Sequence, residues 1–397
     1  MTVGATPLPP GPPPATGAWR EGDPVGGRRF ADLGALDLEA GGRLPAVRVA
    51  YETWGRLDAD GGNAVLVLHA LTGDSHVVGP PGPGQASAGW WEGLVGPGRA
   101  LDTDRWFVVA PNVLGGCQGT TGPSSLAPDG RAYGSRFPFL TIRDQVAAEA
   151  GLADALGIRR WASVLGGSMG GMRAIEWAVT HPERVGSLLL LACGATASAE
   201  QIALCSPQLH AIRADPHWLG GDYHDAPPGQ GPHVGLGVAR RIAQVSYRSE
   251  LELAARFDRA PQPGEDPLRG GRYAVESYLD HHADKLARRF DAGTYVALTE
   301  AMNSHDVGRG RGGVEAALAR VTARTIVAAI DSDRLYPPYQ QEQLARGIPE
   351  AGRLRTVSSP YGHDGFLLEA GAVGALVREL LAPVVRLDLR EPASAAC

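Results

Sequence analysis

The chemistry that this 397-residue chain could perform converges on one serine. Ser168 is the centre of Gly166-Gly167-Ser168-Met169-Gly170-Gly171, a G-x-S-x-G pattern. The apolar run Trp161 to Leu165 precedes it, and the helical pattern Met172 to Thr180 follows. Between a strand and a helix, such a serine is held in a sharp bend with its hydroxyl exposed, and small neighbours let the helix approach the sheet. The helix N-terminus also favours negative charge beside the nucleophile. Glycine and serine are common in loops, so the pattern alone is weak; its strand-turn-helix context is what makes Ser168 a candidate nucleophile.

A serine nucleophile needs a base, and the base needs a carboxylate to orient it. Asp331-Ser332-Asp333 follows the apolar run Thr325 to Ile330, and Gly362-His363-Asp364-Gly365 follows Arg353 to Ser358. Of the 11 histidines, His363 alone lies beyond the last core strand pattern. A loop histidine is ordinarily a solvated surface residue, but the order Ser, Asp, His along the chain makes His363 the candidate base. Spacing does not choose between Asp331 and Asp333, since either could cap the next segment or satisfy loop amides. An oxyanion site needs backbone donors. The run Ala64 to Leu68 leads into His69-Ala70-Leu71-Thr72-Gly73, which makes the amides of Leu71 and Met169 the candidates. An ordinary glycine-ended turn is the competing reading of that loop.

These residues need a scaffold. Short apolar runs at 64–68, 106–110, 161–165, 187–191 and 325–330 read as buried parallel strands, and Ile142 to Leu156 and Met172 to Thr180 as helices between them. This alternation predicts a doubly wound, mostly parallel α/β sheet. Leu44 to Trp54 alternates in the manner of an antiparallel strand that begins the same sheet. From Ser198 to Leu318 no buried strand is evident, which predicts an inserted helical lid. The expected organisation is a disordered Pro/Gly-rich tail at 1–27, a core at 28–197 and 319–382, a lid at 198–318, and a C-terminal tail at 383–397.

Composition bounds the partners. Apolar residues make up 44% of the chain and charged residues 20%, ordinary for a globular protein, and the formal net charge of -6 disfavours a general grip on nucleic acid or anionic membrane. No apolar run approaches the ~20 residues of a membrane helix. Cys117, Cys193, Cys205 and Cys397 are scattered without metal-ligand spacing, which reads as reduced thiols and a cytoplasmic location. Leu114 to Ser125 is rich in glycine but lacks the G-K-[ST] of a phosphate loop. Gly308 to Gly313 (GRGRGG) looks like an RNA-binding segment, yet it is short and lacks interleaved aromatics. His281 and His282 are neighbours whose side chains diverge on a helix, so they read as a surface pair rather than a metal site.

Taken together, HALTGDSH at 69–76, PNVLGGCQGTTGPSS at 111–125, GGSMGGM at 166–172, DSDRLYPP at 331–338 and YGHDGFL at 361–367 resemble the homoserine O-acetyltransferases. The lid stretches GLGVARRIAQVSYRSE at 235–250 and 272–306 are similar to that family as well. The resemblance runs from about residue 28 to 382. It implies an α/β-hydrolase fold with an inserted helical lid. It assigns the nucleophile to Ser168, the orienting carboxylate to Asp333 and the base to His363. Arg240 then matches the residue that holds the homoserine carboxylate, and Asp364 the one that pairs with its amine. The implied reaction is ping-pong acetyl transfer from acetyl-CoA to L-homoserine in methionine biosynthesis, with no resident cofactor or metal, by a homodimer joined through the lid. The same triad would equally serve a succinyl-CoA- or serine-directed relative, or an esterase or thioesterase.

Overall fold

The computed structural model describes residues 11–382. Eight strands form one sheet: β1 (Arg29–Asp37), β2 (Arg43–Trp54), β3 (Ala64–Leu68), β4 (Phe107–Pro111), β5 (Ser163–Gly167), β6 (Ser187–Leu191), β7 (Arg324–Ile330) and β8 (Arg355–Val357). Their order across the sheet is β1-β2-β4-β3-β5-β6-β7-β8. β1 and β2 pair antiparallel, and β2 joins β4 antiparallel; every later pairing is parallel. Every residue of β3, β5 and β6 is buried, because helices cover both faces. β1 has no counterpart among the strand patterns read from the sequence. Its residues are mostly exposed or half-buried, and register shifts around Gly34 interrupt the alternation that would have revealed it.

Two helices matter most to the centre of the sheet. α1 (Ile142–Ala155) opens with a capping box between Thr141 and Asp144, and α2 (Met169–Thr180) begins directly after β5. Between Leu191 and Arg324 the described residues add no strand to the sheet. That stretch holds α3 (Ala199–Ala214), α4 (His233–Tyr247), α5 (Glu250–Phe257), α6 (Ala274–Arg289), α7 (Ala292–Asn303) and the short α8 (Val314–Leu318). α4 packs against α3 and α6, so it lies at the heart of this helical layer. The chain then returns through β7, α9 (Pro338–Gly347), β8, α10 (Gly365–Leu368) and α11 (Ala370–Leu381).

The N-terminal segment departs from expectation. Residues 11–27 are not a disordered tail: Ala15, Thr16 and Ala18 are buried, Thr16 Oγ1 donates to Asp291 Oδ1 at 2.7 Å, and Trp19 N–H donates to the Cys117 carbonyl at 2.9 Å. Gly17 N–H bonds the Phe290 carbonyl at 3.1 Å, and a Cβ at Gly17 would stand 2.4 Å from the Phe290 nitrogen. Prolines reduce the entropy lost on ordering, and one glycine lets the strap lie flat on the lid. Composition alone could not show these partners. The rest of the expected tail, 1–10, and the C-terminal tail at 383–397 lie outside the described residues. The glycine-arginine segment is also structural: Arg309 pairs with Glu39 at 2.9 Å and Arg311 with the buried Glu176, so both cations are engaged within the chain.

Candidate active site

Ser168 occupies the link between β5 and α2 with φ 56° and ψ −126°, a left-handed conformation that L-residues adopt at a cost of about 1 to 3 kcal/mol. The flanking glycines make the bend possible. A Cβ at Gly166 would lie 2.1 Å from the Gly170 carbonyl oxygen, and one at Gly170 would lie 2.1 Å from the Leu68 oxygen. The first turn of α2 therefore rests directly on the end of β3.

His363 Nδ1 lies 2.7 Å from Asp333 Oδ2, and its Nε2 lies 2.8 Å from Ser168 Oγ. A carboxylate can only accept, so Nδ1 carries the proton and Nε2 is left to accept the serine hydroxyl. Asp333 is fixed in turn, because its Oδ1 accepts from the amides of Leu335 and Tyr336 at 2.8 and 2.9 Å. Asp331 is exposed and accepts from Ser359 N–H at 2.9 Å, so it braces the loop after β8 rather than the histidine. The geometry thus separates the two aspartates that spacing left equivalent. The sequence reading missed the rings around His363: Tyr336 stacks on it at 5.0 Å, and Phe366 meets it edge-on at 5.4 Å. Tyr336 stands three residues after Asp333, but nothing in its type marks it as a packing partner of the base.

The Leu71 and Met169 amides meet no protein acceptor among the described residues, so both remain available to an oxyanion. Leu71, Ser168, Met172, Cys205, Tyr247 and Tyr336 line a pocket whose described lining contains no Lys, Arg, Asp or Glu. Cys205 does not compete as a nucleophile. Burial pushes its thiol up to about 11, so it stays protonated at neutral pH.

The lid arginines are not equivalent. Arg241 is paired with Asp280 at 2.7 Å, and Arg248 with Glu252 at 2.7 Å and Asp364 at 3.2 Å. Arg240 has buried Nε and Nη1 groups with no hydrogen-bond partner among the described residues. Its guanidinium stands over the Tyr247 ring at 5.4 Å, and Tyr247 in turn lies 5.9 Å from the His363 ring. An unpaired, partly desolvated guanidinium is costly unless an anion completes it, and its planar fork fits a carboxylate. Asp364 is already held by Arg248, leaving its second oxygen for a cationic partner. Among the described residues no cluster of three or more His, Cys, Asp or Glu is placed to hold a metal ion.

The strand order, the strained serine at the end of the fifth strand and the ordered Ser, Asp and His define a protein of the α/β-hydrolase class. The sequence profile of the alpha/beta hydrolase fold matches residues 63–370. The homoserine O-acetyltransferase of Thermobifida fusca (strain YX) is 68% identical over 372 residues, covering 94% of this chain and 98% of that protein. The crystal structure of the homoserine O-acetyltransferase from Bacillus anthracis superposes with a TM-score of 0.81 at 26% identity, covering 90% of this chain and 97% of the other. Esterase E22 gives the same TM-score of 0.81 at 26% identity, with 89% and 99% covered. The chain belongs to the homoserine O-acetyltransferase family.

Proposed function

We propose that the chain transfers the acetyl group of acetyl-CoA to the γ-hydroxyl of L-homoserine, a step of methionine biosynthesis, through an acetyl-Ser168 intermediate. His363 takes the Ser168 proton as Oγ attacks the thioester carbonyl. The C–S bond breaks, the thiol leaves with a proton, and the Leu71 and Met169 amides stabilise the oxyanion. Homoserine then enters, His363 deprotonates its γ-hydroxyl, and attack on the acetyl-serine gives O-acetylhomoserine and restores Ser168. Asp333 orients His363 in both halves. The carboxylate of homoserine pairs with Arg240, and its ammonium with Asp364.

One observation carries this reading over hydrolysis. The guanidinium of Arg240, with Nε and Nη1 buried and without a partner among the described residues, stands one ring away from the base, where an enzyme using water as acceptor needs no cation. The described lining of the serine pocket carries no charge of its own, and Arg240, which stands over its Tyr247, is assigned to homoserine, so a succinyl carboxylate would compete with the acceptor for that one cation whereas an acetyl group would not. The second reading is an esterase, which the likeness to esterase E22 supports. Mass spectrometry of products from a mixture of acetyl-CoA, succinyl-CoA, homoserine and serine separates these readings. O-acetylhomoserine should dominate; release of free acetate unaffected by homoserine would favour the esterase.

Pairing of two chains through the lid is part of the proposal. Val234, Val238 and Val245 recur on one face of α4 and are exposed at 74%, 39% and 40%, a stripe that a second copy would cover. Light scattering should report a dimer, and Val238→Glu should weaken it. A cytoplasmic setting suits the free thiols of Cys117, Cys193 and Cys205, and no helix among the described residues is long and apolar enough to cross a membrane.

A further inference from the structure

The direction of a backbone N–H is set by whatever holds the carbonyl of the same peptide, because the peptide is planar and trans and its C=O and N–H point opposite ways. The Leu71 N–H belongs to the peptide whose carbonyl is Ala70 O. That oxygen is held twice, by His69 Nδ1 at 2.8 Å and by Gly73 N–H at 2.9 Å. The other ring nitrogen of His69, Nε2, accepts from Val113 N–H at 3.0 Å. His69 is therefore a neutral imidazole of fixed tautomer; burial, with the charge of Arg173 beside it, pushes it down to about 3. The preceding peptide is held as well, since Arg173 Nη2 donates to the His69 carbonyl at 2.5 Å.

Arg173 lies on α2, the helix whose first residue is Met169, the other candidate oxyanion donor. Its side chain is fully buried, paired at 2.6 Å with the buried Glu149 of α1, whose second oxygen accepts from Trp177 Nε1 at 2.7 Å. A buried ion pair contributes little stability over apolar residues of similar volume. What this one does geometrically is tie the loop after β3 to α2, so that the two donors keep a fixed separation.

We propose that His69 and Arg173 are positioning residues that aim the Leu71 N–H at the oxyanion, with Glu149 holding Arg173 in place. Neither touches the reacting atoms; they act through Ala70 and Leu71. This inference deepens the proposed acyl transfer and rests on the same serine.

The test uses His69→Phe, which keeps a ring of similar bulk without its hydrogen bonds, and Glu149→Leu/Arg173→Met, which removes both charges of the pair together. Loss of one oxyanion donor costs ~100- to 1000-fold, so a misaimed donor should lower the rate of Ser168 acylation by roughly 10- to 100-fold. The KM for either substrate should change little, because the oxyanion forms only in the transition state. The pH profile that reports His363 should keep its midpoint. Acylation is read from the burst of p-nitrophenol with p-nitrophenyl acetate, and folding from the near-ultraviolet circular dichroism. A folded variant with an unchanged burst, or one whose defect lies in KM, overturns the proposal. If one variant does not fold, the other carries the test. Should both fail to fold, the groups are structural and the proposal is overturned as well. The two readings fail separately: a wild-type burst without homoserine acetylation would sink the proposed function alone, whereas intact burst rates in the variants would sink only the positioning role.

Discussion

Ser168 combines a reactive hydroxyl with a backbone conformation that favours glycine, and the two properties can be separated by substitution. Ser168→Ala and Ser168→Gly should both abolish acetyl transfer, yet Ser168→Gly should be about 1 kcal/mol more stable than Ser168→Ala, since glycine relieves the positive φ at some entropic cost. Equal melting temperatures would show that the turn stores no strain. Arg240→Leu should leave formation of the acetyl-enzyme untouched and raise the KM for homoserine by roughly 30- to 150-fold, the loss of about 2 to 3 kcal/mol for a charged hydrogen-bonded pair. Steady-state kinetics with homoserine varied checks this; an unchanged KM would remove Arg240 from the acceptor site. At this scale the sequence was informative where chemistry demands a residue type. His363 lies within hydrogen-bond reach of both Ser168 and Asp333, although residue spacing left Asp331 and Asp333 equivalent and only the family resemblance chose between them. It was silent about Tyr247, Tyr336 and Phe366, because aromatic residues in loops and helices carry no signature of the ring against which they pack. Arg173 did leave a trace, a cation in the otherwise apolar start of α2.

The elements that carry these residues meet with little tolerance. α2 approaches β3 so closely that a Cβ at Gly170 would stand 2.1 Å from the Leu68 carbonyl oxygen, a backbone atom that cannot rotate away. Gly170→Ala should therefore cost about 3 kcal/mol and displace the Met169 amide, so that activity falls in whatever protein remains folded. Thermal unfolding together with the esterase burst measures both effects; a wild-type burst would show that α2 can shift without harm. The central strands were legible because they are buried on both faces and read as continuous apolar runs. Their ends were less so: β5 continues through Gly167, beyond Leu165, since the glycines that mark a turn in sequence extend the strand here. α2 starts at Met169, three residues before its apolar periodicity becomes visible.

Across the whole molecule, buried histidines set the response to acid. Burial lowers His69 to about 3 and His305 to about 4, whereas in the unfolded chain both would titrate near their ordinary value of ~6.5. The unfolded state therefore takes up protons first as the pH falls. Each histidine contributes stability that is full above ~6.5 and is lost at about 1.4 kcal/mol per pH unit down to its folded value. His76 acts in the opposite sense. Burial disfavours its charge, but the hydrogen bond to Glu52 prevails and raises it, so its contribution is full below ~6.5 and fades as the pH climbs through its folded value. Urea midpoints should fall between pH 7 and pH 5, and His305→Gln should flatten that slope; a midpoint independent of pH would contradict the assignment. The N-terminal strap was the least legible feature at this scale. Its prolines and glycines signal disorder when read alone, and its partners, Asp291, Phe290 and Cys117, are remote in the chain. The central claim, an acetyl group passed from Ser168 to an amino-acid alcohol, is tested most directly by intact-protein mass spectrometry of the enzyme mixed rapidly with acetyl-CoA alone. The enzyme should gain the mass of one acetyl group on the peptide containing Ser168, and L-homoserine should discharge it to O-acetylhomoserine far faster than water does. No adduct at Ser168, or discharge at a rate indifferent to homoserine, would contradict it.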